Sequence, residues 1–93
     1  LPTSPDALTL RATASRNLGH AQSALADATR AVDIAPHNMS ALLERGRTRA
    51  ALLDMPGARA DWQSVIDVAR DMGRDRDPRA VAAAAFLKGG TGE

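Results

Sequence analysis

The chain has no cysteine and no tyrosine, and its aromatic residues are Trp62 and Phe86 alone. Without cysteine there is no disulfide framework, no thiolate metal site and no cysteine nucleophile. That absence fits a reducing or an oxidising compartment equally, so cytoplasm and periplasm both stay open. With two aromatics the chain offers no stacking platform for single-stranded nucleic acid. No apolar run approaches the roughly 20 residues needed to span a bilayer, and no basic-then-apolar pattern opens the chain. The first residue is Leu1 rather than Met, as expected of a processed product or a piece of something longer. Charge of one sign is also missing: 11 arginines and one lysine face 11 acids, for a net charge of +1. Neither nucleic acid nor an anionic membrane is therefore an expected partner.

Chemistry-bearing constellations are as scarce. His20 and His37 fall in turns, and neither has a carboxylate or hydroxyl spaced to orient it as a base. No His-x-x-x-His or His-Glu pair is present to hold a metal. Asp71, Asp75 and Asp77 resemble a calcium loop only faintly, because Arg74 and Arg76 alternate with them and the loop's glycine and distal glutamate are missing. Gly89-Gly90-Thr91-Gly92 lacks the lysine and helix that a phosphate loop requires. Ser40, Ser64 and the other hydroxyls have no histidine partner in their sequence context. The expectation is a protein without catalytic, cofactor or metal sites, and not an enzyme.

What the chain does have is alanine, 20 of its 93 residues. Ala, Leu and Arg lose little on entering a helix, and small side chains let helices approach closely. No alternating run of β-branched and aromatic residues suggests a strand, so the fold expected is all-α. At 93 residues one small domain is allowed, burying about 60% of its unfolded surface.

The strongest pattern is a repeat. Laying Asp6–Asn38 over Ser40–Met72, a spacing of 34 residues, brings Leu8 onto Leu42, Arg11 onto Arg45, Leu18 onto Leu52, Asp27 onto Asp61 and Asp33 onto Asp67. Ala7, Ala24, Ala26 and Ala35 also meet alanines, without a gap. A fixed period in this range marks a solenoid, whose units bury their apolar faces only against each other.

Punctuation divides the chain into five helices. Ser4-Pro5-Asp6 is a start signal, and Gly19 stops a first helix that runs to about Leu18. The second spans about Ala21–Ala35, with Ala24, Leu25, Ala28, Ala31, Val32 and Ala35 on one stripe, and Pro36 ends it. Asn38 caps a third carrying Leu42, Leu43, Gly46, Ala50 and Leu53. Asp54 caps a fourth with Ala58, Trp62, Val65, Ile66 and Ala69 inward. A charged connector, Asp71 to Asp77, leads to a fifth helix over Pro78–Lys88 with Val81, Ala84, Ala85 and Phe86 inward. Gly89 to Glu93 is expected to be a flexible tail. Connections this short make neighbouring helices antiparallel.

These residues resemble the tetratricopeptide repeat family. Leu8-Thr9-Leu10-Arg11-Ala12 and Leu42-Leu43-Glu44-Arg45-Gly46 match its first helix. Gly19 matches its turn glycine, Ala58 to Trp62 its small-x-x-x-aromatic element, and Pro36 its closing proline. Departures are Ser15 and Arg49 where the family has a large aromatic, Ala28 where the second repeat has Trp62, Leu53 for the turn glycine and Arg70 for the closing proline. The resemblance implies a right-handed α-solenoid within residues 1–88: repeat one 5–38, repeat two 39–72, and a solvating cap helix 77–88. Two repeats are fewer than the three usually needed alone. A sufficient cap, self-association or a missing neighbouring segment would each make up the difference.

In that family the first helix of each pair lines a concave groove that holds a peptide or a partner's helix. The matching residues here are Thr9, Leu10, Thr13, Arg16 and Asn17, followed by Leu43, Glu44, Arg47, Ala50 and Ala51. The set lacks the Lys and Asn with which other members clamp a terminal carboxylate. Leu10 and Leu43 would be exposed unless a peptide, a second copy or an adjacent domain covers them. Arg11 with Asp27, and Arg45 with Asp61, pair the two helices of each repeat. Because the pairing recurs at the full period, an ion pair that sets the helix crossing is preferred to a repeated binding site. The function expected is a non-catalytic module that binds a peptide or protein through its concave face. The alternative is a structural segment that stacks on itself or on neighbouring domains.

Overall fold

Four of the five helices begin where a short polar side chain can accept a hydrogen bond from an orphan backbone N–H. In the computed structural model, which describes residues 3–89, the helices are α1 (Pro5–Asn17), α2 (Ala21–Ile34), α3 (Met39–Ala51), α4 (Met55–Asp71) and α5 (Pro78–Leu87). Ser4 Oγ accepts from Ala7 N–H at 3.3 Å, Asn38 Oδ1 from Ala41 at 3.0 Å, Asp54 Oδ1 from Gly57 at 3.0 Å and Asp77 Oδ1 from Arg79 at 2.9 Å. Helix α2 starts at His20 without a side-chain cap. Among the described residues there is no strand, and no helix is long and apolar enough to cross a membrane. Residues 90–93 of the expected tail lie outside the described residues.

The helices pack in two layers. α1, α3 and α5 lie side by side, with α3 touching both of the others. α2 covers α1 and α3, α4 covers α3 and α5, and α2 does not touch α4. The molecule measures 33 × 29 × 18 Å, and the short dimension is that of two helix layers. Leu8, Val32, Met39, Leu42, Trp62 and Val65 carry the main core, with Ala80 and Ala83 of α5 closing it. Ala12, Ala24 and Ala28 form a separate small cluster between α1 and α2.

Two sequence expectations are corrected here. Leu53 does not belong to the buried face of α3: the helix ends at Ala51, and Leu53 is 86% exposed in the left-handed region at φ 65°. It occupies the position that Gly19, at φ 84°, holds one period earlier. The turn geometry recurs although the residue suited to it does not. In α5 the inward residues are Ala80 and Ala83, with Phe86 and Leu87 packed against them. Val81 is 56% exposed and Ala85 is exposed as well. Helix α5 docks on α3 and α4 through its smallest residues, which bring its backbone close and turn the branched Val81 outward. Arg79 fixes this placement, since its Nη1 donates to Ser40 Oγ at the start of α3 at 3.0 Å.

Candidate functional site

The expected groove residues lie on the α1–α3–α5 layer, but they do not form one open surface. Glu44 is buried at 5% exposure. Arg16 donates to it from Nε at 2.6 Å and Nη2 at 3.3 Å. Thr13 Oγ1 donates to its Oε1 at 2.7 Å and Thr48 Oγ1 to its Oε2 at 3.0 Å. Thr13 and Arg16 are three residues apart on α1 and so share a face. The carboxylate of α3 is thereby held by two residues of the neighbouring helix, a charge-assisted and fully partnered set. Glu44, Thr13 and Arg16 thus join α1 to α3, and Glu44 is not a groove-facing side chain.

The other expected lining residues divide between the two helices. On α1, Leu10 is 74% exposed, Asn17 is exposed and Thr9 is half-buried. On α3, Leu43 is half-buried and packs against the core, which corrects its expected exposure. Ala51 is exposed. Arg47 is exposed and makes no ion pair among the described residues. Its guanidinium lies 5.6 Å from the ring centroid of Phe86 on α5, within cation–π range. Phe86 in turn tilts against Trp62, centroid to centroid 5.0 Å. Arg16, Arg47, Ala50, Trp62 and Phe86 line a shallow cavity of about 220 Å³ where α3 meets α5.

Sequence reasoning placed Arg16, Arg47 and Ala50 on this layer but missed Phe86 as their neighbour. Phe86 sits 36 residues beyond Ala50, outside any repeated register, so the period could not have found it. The i, i+3 spacing of Thr13 and Arg16, facing a lone acid one period on from Leu10, was the available signal for the Glu44 network.

The ion pairs expected within each helix pair are present. Arg11 donates to Asp27 at 2.7 and 2.8 Å, and Arg45 to Asp61 at 2.9 and 2.8 Å. In the second pair Arg49 adds a further donor to Asp61 at 3.0 Å, filling the place where the resembled family has an aromatic. The hydrogen bond from Arg11 holds the Asp27 carboxyl below its ordinary range and raises the guanidinium. Arg79 lowers Asp77 further still, through its side chain and then its backbone N–H. Both partners of each pair are consumed by the fold, so neither pair is a binding site.

His20 and His37 are exposed, and no group of three or more His, Asp or Glu among the described residues could hold a metal ion. Compared with protein-family models, with curated proteins and with solved structures, the chain matches none.

Proposed function

We propose that the chain is a non-catalytic interaction module of the tetratricopeptide type. Its two helix pairs stack in a right-handed sense, α5 caps them, and an extended segment of a partner protein lies along the α1–α3–α5 layer. Arg47 is the observation that carries this reading. It is a charged side chain on that layer with no carboxylate partner among the described residues, held over Phe86 beside Ala50. A cavity of about 220 Å³ is smaller than the roughly 300 Å³ at which small-molecule sites begin. It suits one apolar side chain of a peptide, with an acidic neighbour reaching Arg47.

Peptides selected from a displayed library on the immobilised chain test this. The expected set carries an acid next to an apolar residue. Arg47→Glu should weaken such peptides at least tenfold while leaving the melting temperature within about 2 °C, because Arg47 is exposed and unpaired. Peptides that bind Arg47→Glu and Ala50→Arg as well as the parent would remove this face from consideration. Arg16 is unsuited to the test, since its loss would strand the buried Glu44 carboxylate.

A further inference from the structure

The side chains around the cavity at Arg47 offer hydrogen-bond donors and no acceptor. They are Arg16, Arg47 and the indole of Trp62, with the apolar Ala50 and Phe86. Arg16 spends Nε and Nη2 on Glu44, whose two oxygens also take Thr13 and Thr48. Trp62 is 4% exposed, and its buried Nε1 has no hydrogen-bond partner among the described residues. A buried indole N–H ordinarily finds an acceptor, because one without a partner carries its full desolvation cost. A Cβ at Gly46 would fall on Nε1, so the donor edge of the ring faces α3 one residue from Arg47 and four from Ala50. Gly46 and Ala50 share a helix face. The arrangement does not recur: one period earlier stand Thr13, Arg16 and Ala28 in place of Arg47, Ala50 and Trp62. A packing need common to both helix pairs would repeat with them.

Resting on the reading of this layer as a peptide groove, we infer that the cavity seats one side-chain carboxylate of the partner segment, held by Arg47 and Trp62 Nε1. Charge selects this occupant. Arg16 and Glu44 balance each other, so Arg47 leaves the cavity with one net positive charge. A cation would face two guanidiniums, and a neutral amide would leave Arg47 without a counter-charge. An ionised carboxylate is acceptor-only and has lone pairs enough for the guanidinium and the indole N–H together. Hydrogen bonds to a charged acceptor are the strong ones, and the apolar walls at Ala50 and Phe86 strengthen them further. Nε1 is out of reach of solvent, so the acid meets it as Arg47 swings off Phe86. That contact is weak for an exposed guanidinium and yields easily. The apolar neighbour of the acid then lies against Ala50 and Phe86.

Trp62 is the single tryptophan, so one indole cross-peak in a proton–nitrogen NMR spectrum reports on Nε1. The probes are three blocked tripeptides, Leu-Glu-Leu, Leu-Gln-Leu and Leu-phosphoserine-Leu, titrated into the full chain to about 5 mM. The glutamate peptide should move the indole proton downfield, as a new hydrogen bond requires, and bind at least fivefold tighter than the glutamine peptide. Arg47→Gln should bring those two peptides to within about twofold of each other while the melting temperature stays within about 2 °C. Trp62→Phe keeps an aromatic ring, removes the donor and should weaken the glutamate peptide about fivefold. An indole peak that stays still, or equal binding of the glutamate and glutamine peptides, overturns the carboxylate seat. If peptides selected from the displayed library still bind at Arg47 and Ala50, the groove reading survives that failure. If neither they nor the tripeptides bind, both readings fall. Binding of the phosphoserine peptide about tenfold tighter than the glutamate peptide overturns the carboxylate in favour of a phosphate.

Discussion

The two helix pairs share a register and an ion pair but not a core. Between α1 and α2 Ala12, Ala24 and Ala28 form a cluster of alanines alone, apart from the main core that holds Leu8 and Val32. Between α3 and α4 the positions one period later hold Gly46, Ala58 and Trp62. Trp62 lies directly on Gly46, where a Cβ would collide with the indole ring. The second pair is therefore a glycine–tryptophan version of the first pair's alanine–alanine contact. The large ring lies under Phe86 of α5, whereas the alanines of the first pair cluster alone although α3 packs on that pair as α5 packs on the second. The lesson is that the residues of a repeat and of the helix packed on it, rather than the shared register, set how much it can bury.

The sharpest way to break this comparison is to make the second pair resemble the first. Trp62→Ala should cost about 3–5 kcal/mol in urea denaturation. Gly46→Ala alone should cost about 1–3 kcal/mol by overpacking against the ring. The double variant recreates Ala12 and Ala28 and should cost no more than Trp62→Ala. Additive losses would mean that the two residues do not answer each other.

Leu10 and Glu44 stand one period apart and invert the usual rule, the leucine exposed and the glutamate buried. Glu44→Ala should cost about 2–4 kcal/mol, because Arg16 loses its buried partner. Leu10→Ala should stay within about 0.5 kcal/mol. Equal losses would show that the α1–α3 network contributes nothing beyond ordinary surface contacts.

Leu53 and Gly19 share the left-handed turn. Leu53→Gly should stabilise the chain by about 0.5–1 kcal/mol, since relief of the left-handed strain exceeds the extra freedom glycine gains on unfolding. A destabilised variant would mean that the exposed Leu53 side chain makes contacts outweighing its strain.

Acid should act most gently. The carboxyls of Asp27 and Asp77 are lowered in the fold from an ordinary 3.8. Their contribution is complete above about pH 4 and is lost as pH falls toward the folded values. Asp27→Asn and Asp77→Asn should each flatten the decline of the urea midpoint between about pH 4 and pH 2. An unchanged slope would show that these pairs do not couple folding to protonation.

Local signals were the readable ones. Ser4, Asn38, Asp54 and Asp77 cap helices where their spacing to the next apolar residues predicted, because a cap concerns only the following turn. Arg11–Asp27 and Arg45–Asp61 were legible because they recur. Val81 was misplaced because a helix of ten residues rich in alanine has several faces of similar apolarity, and only docking selects one. The partner of Arg47 was invisible because Phe86 follows a connector whose length breaks the period.

From its residues alone this chain determined five helices, their starts, and the ion pair repeated within each helical hairpin, since each depends on neighbours a few residues away or on a fixed spacing. Tertiary structure alone decided that Glu44 turns inward while Leu10 turns outward, that Arg47 meets Phe86, and that α5 keeps an open face. Those outcomes depend on which helix lies alongside, and that is a property of the stack rather than of any one segment.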